Sequence, residues 1–233
     1  MSAPVRPLNA IDHGKIKLPK TRHFPHVSDQ QIVPLIVHEF SNASAEMPIV
    51  FVKNSETGEF QSVAVLGFEE GENLFVGEET WKGGYVPAVV THYPLALMPS
   101  PENPEDMQVL LIEDDVIMNN QEGEAVFDEE GKETPFMENR KNAIGKYFEN
   151  MHVTKAFTRF LAEKELLVEQ TLNIQLGEQK RQLSGVYLVD ERKLNALSDE
   201  DFIDMKKRGY LSPIYAHMLS VHQLNNLARM KAK

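Results

Sequence analysis

The side chains able to do chemistry in this 233-residue chain are eight histidines, 35 carboxylates and a few aromatics, with no cysteine. A metal site asks for ligands at set spacings. His23 and His26 stand three apart, but Pro25 between them argues against a shared helical face. His38-Glu39 lacks the second histidine that an H-E-x-x-H zinc motif requires. A dispersed site would need His23, His26, His38, His92 and His217 to converge from across the chain. Asp128-Glu129-Glu130-Gly131 lacks the alternating acids of a calcium loop. Paired carboxylates for glycoside hydrolysis are uninformative when 35 acids offer many pairs. There is no thiol nucleophile, no G-x-S-x-G elbow and no glycine-rich phosphate cradle. No catalytic residue, metal or cofactor is assigned.

Five residues make the candidate binding set: Trp81, Tyr85, Tyr93, Tyr215 and His217. Trp81 with Tyr85 and Tyr93 can stack on a sugar or a peptide, although aromatic core at strand ends is the commoner use of such residues. His217 falls inside the helical stripe Ile214, Met218, Val221, Leu224 and Ala228, from which Tyr215, Ser220 and His222 point away. A histidine there is buried, which favours a neutral imidazole with a hydrogen-bonded ring nitrogen. Its expected role is to tie the helix to strands. The functional alternative is a ligand or proton carrier at a pocket floor.

The elements that position these residues follow from periodicity. Residues 1–30 read as an irregular lead-in, and 31–230 as a single domain. Ile32–Val37 is an edge strand at most, because Pro34 lacks an N–H. Ile49–Val52 and Phe60–Phe68 flank a glycine-bearing loop and predict a hairpin. Leu74–Val76, Tyr85–Val90 and Gln108–Ile112 read as short strands. The segment 113–134 reads as an acidic loop with Ala125-Val126-Phe127 as a short anchor. A helical period then runs from Pro135 to about Leu167, with Met137, Ile144, Tyr147, Phe148 and Met151 on one side. Val153, Phe157, Phe160 and Leu161 lie on the other. An unbroken helix with different neighbours at its two ends accounts for that switch. Leu172–Leu176 and Gln182–Val189 predict a second hairpin around Gly177-Glu178. Ser198 caps a helix closed by Lys206-Lys207-Arg208 and Gly209, and a last helix runs from Pro213 to about Met230. The fold class is α+β, with a β-rich N-terminal half of antiparallel hairpins and a helical C-terminal half carrying the second hairpin.

Charge narrows the partners. The net charge of −11 is concentrated in residues 100–138, which hold thirteen acids and one base. Arg6, Lys15, Lys17, Lys20 and Arg22 form a sparse basic arm, expected to lie on acidic surface of this chain or a partner rather than on nucleic acid. No apolar leader and no stretch able to span a bilayer is present, and with zero cysteines a cytoplasmic protein is expected. Export without a leader stays open, as does the oligomeric state.

One resemblance carries further. Pro48–Val52, Gly58–Gly67, Glu72–Val76, Trp81, Tyr85-Val86-Pro87 with Tyr93-Pro94, and Phe127-Asp128 with Gly131 occur in order. Leu188–Glu191 and Ile214–His217 with Leu219-Ser220 follow them. In this order they resemble the bacterial SapC-like family over about residues 30 to 225; the peptide-transporter permease of the same abbreviation is a different, membrane-spanning protein. The resemblance implies a link to surface-layer or cell-envelope proteins, and to the amino-acid-modifying and receptor proteins encoded beside members. It implies no catalytic residues, since the family's activity is unassigned. The expected function is a non-enzymatic accessory protein with a protein partner. An enzyme with dispersed metal ligands, an oxygenase or a hydrolase, and a surface-layer component are the alternatives.

Overall fold

Apolar runs with period two become sheets and those with period 3.6 become helices, and their order along the chain defines the architecture. The computed structural model describes residues 3–232 except 102, 104, 105, 177 and 178. The chain begins with β1 (Val5–Pro7), α1 (Ala10–His13), β2 (Lys17–Leu18) and β3 (Ile32–Pro34). It continues through α2 (Phe40–Ala43), β4 (Ile49–Lys53), β5 (Phe60–Val65) and α3 (Ala88–His92). Next come β6 (Leu95–Pro99), β7 (Met107–Ile112), α4 (Asp115–Met118), β8 (Glu124–Ala125) and α5 (Pro135–Glu163). β9 (Leu167–Leu176), β10 (Gln179–Val189), α6 (Glu191–Asn195), α7 (Asp199–Lys207), α8 (Leu211–Ser220) and α9 (Leu224–Lys231) complete it. The protein is α+β, with antiparallel strand pairing throughout its described sheets.

The chain forms two compact units. One comprises Met1–Arg22 with Thr91–Glu149, and the other His23–Val90 with Asn150–Lys233. In the first, strands order β1-β7-β6 beside a small β2-β8 ladder. Its core gathers Ile16, Leu18, Leu95, Leu111, Ile117, Val126, Phe127, Met137 and Ile144. In the second, a five-stranded sheet runs β3-β5-β4-β10-β9. Phe40, Phe51 and Phe157 meet over it, edge-on or tilted, at ring separations of 6.0 to 6.5 Å. α5 runs unbroken, giving Met137 and Ile144 to the first core and Phe157, Phe160 and Leu161 to the second. Met151 and Val153, assigned above to its two stripes, are exposed where the cores change over.

The first hairpin holds as β4 and β5, in register from Ile49↔Ala64 to Lys53↔Phe60. β3 takes the sheet edge where Pro34 costs no ladder bond. The second hairpin holds as β9 and β10, longer than expected, and its turn at Gly177-Glu178 lies outside the described residues. α5 stops four residues before Leu167: Glu165 takes a left-handed φ of 52° and turns the chain into β9. The N-terminal cap on α7 is as read, with Asp201 N–H donating to Ser198 Oγ at 3.2 Å.

Other expectations are corrected. The lead-in is not irregular: β1 and β2 pair with β7 and β8, and Arg6 and Lys20 sit on Glu113 and Glu124 of the acidic segment. Tyr85–Val90 is not a strand but a loop entering α3, with Pro87 at the helix entry, where a missing N–H is harmless. Leu74–Val76 forms no strand beyond a Val76↔Trp81 bridge, because the Asn73 side chain accepts Phe75 N–H at 3.0 Å and bends the chain. The acidic segment is not all loop; it contains α4 and β8, and the expected anchor is real, with Val126 and Phe127 buried. The last helix is divided into α8 and α9 by a 3₁₀ turn, Val221–Gln223.

Candidate functional site

α8 presents Ile214 and His217 inward, and with them Ser220, which was expected to point away but is fully buried. The imidazole stands in the β4–β10 ladder. Those strands pair at Val52↔Val186 and Phe51↔Tyr187, so Ile49 and Val189 come next in register on the same hydrogen-bonding side. The ring fills that rung instead. Val189 N–H donates to His217 Nε2 at 3.1 Å, and His217 Nδ1–H donates to the Ile49 carbonyl at 2.8 Å. An N–H donor facing Nε2 places the ring proton on Nδ1. Ser220 Oγ accepts Ile49 N–H at 2.9 Å and donates to the His217 carbonyl at 2.6 Å. Burial pushes the His217 pKa down to about 4, and the Ile49 carbonyl only partly opposes it. With both ring nitrogens bonded to backbone, the neutral imidazole completes a sheet.

Trp81 and Tyr85 do come together. Trp81 Nε1–H donates to the Tyr85 carbonyl at 2.8 Å, while its ring stacks on Phe75 at 5.3 Å and meets Phe24 edge-on at 6.0 Å. At 3% exposure the indole belongs to the core rather than to a stacking surface. The Tyr85 hydroxyl donates to Glu39 Oε1 at 2.5 Å, Ala88 N–H to the same oxygen at 2.7 Å, and Ile36 N–H to Oε2 at 3.1 Å. Burial raises the Glu39 pKa, against the pull of these three donors. Glu46 accepts Gly84 N–H at 2.7 Å, and a Cβ at Gly83 would stand 2.5 Å from Glu46 Oε2. The loop after Trp81 is thus held by two carboxylates, and a side chain at Gly83 would have to displace one of them.

Tyr93 belongs to the first unit, where its hydroxyl donates to Asp114 Oδ2 at 2.9 Å; burial and that carboxylate raise its pKa well above the ordinary phenol value. Beside it, burial and the Arg140 guanidinium push the His92 pKa down to about 4. A buried histidine that sequence reading passed over is His13 in the same unit. Its Nδ1 accepts Asn9 N–H and its Nε2–H donates to Glu113 Oε1, each at 3.1 Å. The Asn9 cap four residues earlier was the available signal. Among the described residues, no three His, Asp or Glu side chains are grouped to hold a metal ion. None of their helices is long and apolar enough to cross a membrane.

Tyr215 occupies the opposite face of α8 from His217. It is 48% exposed, and Leu219, one turn on, is 67% exposed. Ser212 and His222 extend this outer stripe at helical spacing. From Gly209 to Ala228 the sequence contains no Asp, Glu, Lys or Arg, in a chain that is 25% charged. Leu219 was missed because reading for a core looks for the inward stripe; the uncharged run around it is the signal for the outward one.

A family model described as SapC matches residues 8–227 of the 233. The chain belongs to the SapC family. The SapC match begins earlier than the resemblance read from motifs, so it takes in α1 and β2 as well. No curated protein and no solved structure matches the chain.

Proposed function

We propose that this SapC-family chain is a non-enzymatic accessory protein that works by binding another protein, in the cell-envelope or amino-acid-modifying setting that the family resemblance implies. The observation that carries the reading is the contrast between the two faces of α8. Its inward polar groups, His217 and Ser220, are occupied by β-strand backbone, whereas its outward Tyr215 and Leu219 meet solvent on a face without charge. Glu39 and Glu46 are likewise occupied by backbone N–H groups. Buried polar groups so engaged serve folding, and the exposed, uncharged face with Tyr215 and Leu219 is left for contact.

The test uses chain isolated from its native cells without a histidine tag. The expected result is a stoichiometric complex with a second protein and no tightly held metal. Stoichiometric iron or zinc resisting dialysis, on a chain that travels alone, would overturn the reading.

A further inference from the structure

The partner's chemistry can be read from the borders of the same face, so this inference rests on the binding role just proposed. The outer residues of α8 and the 3₁₀ turn after it repeat at Ser212, Tyr215, Leu219 and His222, the three- and four-residue steps at which one helix seats along another. The stripe itself is neutral, but its borders are not. From Met205 to Lys233 there are six bases and no acid, although the whole chain carries −11. Lys206 and Lys207 are exposed at the end of α7, one turn beyond the exposed Phe202 and Ile203. Arg229 is exposed on α9. None of these three bases has an ion-pair partner among the described residues.

Cations that flank an uncharged stripe along the chain attract an anionic partner and turn away a cationic one. A second copy laid antiparallel on the same face would set the basic end of α7 against the basic part of α9, which is repulsive. A lipid surface shares the anionic chemistry. However, α8 has its inner face in the protein core and offers a stripe too narrow to sink into a bilayer. We infer that α8, with the basic end of α7, is a docking surface for an acidic amphipathic helix of a partner protein. Apolar side chains of that helix seat on Tyr215 and Leu219, and its carboxylates face Lys206, Lys207 and Arg229.

The probe is a stapled, fluorescent helical peptide of about 18 residues, long enough for several turns. It carries leucine at the seam positions and glutamate elsewhere; its twin carries lysine for glutamate. The full-length chain should bind the acidic peptide and not its twin. Leu219→Glu should weaken binding at least about tenfold, and Lys206→Ala with Lys207→Ala several-fold, without a change in circular dichroism or melting. Added salt should weaken it too. No binding, equal binding of both peptides, preference for phosphatidylserine vesicles, or dimerisation through this face would each overturn the inference. If the native complex is lost in Leu219→Glu but the acidic peptide fails, only the partner chemistry falls; if the native complex ignores the face, the binding reading falls as well.

Discussion

His217 Nδ1–H donates to the Ile49 carbonyl at 2.8 Å, so a helix side chain makes a bond that a β-strand would otherwise make. Replacing His217 by Leu strands both the Ile49 carbonyl and the Val189 N–H in the core. The expected loss is about 2–6 kcal/mol, the cost of two buried groups left without partners. Gln, which retains a donor and an acceptor, should recover at least half of that. Urea unfolding of the two variants checks the order; equal losses would show that packing, not bonding, sets the cost.

Ser220 holds the same residue from the other side, its Oγ taking Ile49 N–H at 2.9 Å. Ser220→Ala alone should cost about 1–3 kcal/mol. Combined with His217→Gln it should cost less than the sum, because both side chains anchor Ile49, and a double-mutant cycle should show coupling above about 0.5 kcal/mol.

Acid should unfold this joint. The His217 pKa is about 4 in the fold, against about 6.5 in an unfolded chain. Between those values the unfolded chain binds a proton that the folded one does not. The stabilisation is therefore complete above about pH 6.5 and is lost as pH falls towards about 4, on the order of 3 kcal/mol in all. His92, also lowered to about 4, adds in the same sense. Glu39, raised by burial, acts oppositely: its contribution is present at low pH and lost as pH rises through its folded value. The difference in pH dependence between wild type and His217→Gln isolates His217, and parallel curves would contradict its burial as a neutral ring.

The central acidic segment should tolerate loss of charge but not loss of its turn. Glu130 pairs with an exposed Lys132, and Glu133 with a half-exposed Lys141. Changing Glu129, Glu130 and Glu133 to Gln should shift Tm by less than about 4 °C, since surface pairs contribute little. Asp128→Ala should cost more, because that carboxylate accepts the N–H groups of Glu130 and Lys132, both at 2.9 Å, and closes the turn over Phe127. Thermal melts of the two variants decide the order.

Local patterning made much of this legible. Short apolar runs on either side of a glycine-bearing loop showed β4 and β5, capping residues bounded α7, and the stripe on α8 placed His217 in the core before any partner was known. Long-range facts were not legible. That His217 meets Ile49 across 168 residues depends on how β4 and β10 diverge. β6 was missed because Leu95–Pro99 has no β-branched residue to mark it. Trp81 bonds to the Tyr85 backbone, whereas Tyr93, eight residues on, belongs to the other unit. Exposure of Leu219 was hidden because apolar residues in a helix are read as core by default.

The most direct test of the account compares two equally plain changes at exposed apolar sites. Leu219→Glu alters the outer face of α8, and Val116→Glu alters α4, where Val116 is 76% exposed in the other unit. Affinity for the native partner protein is measured for each by titration against wild type. The account predicts a loss of about tenfold or more for Leu219→Glu, with unchanged melting, and wild-type affinity for Val116→Glu. Wild-type affinity in Leu219→Glu, or an equal loss in both variants, would contradict it.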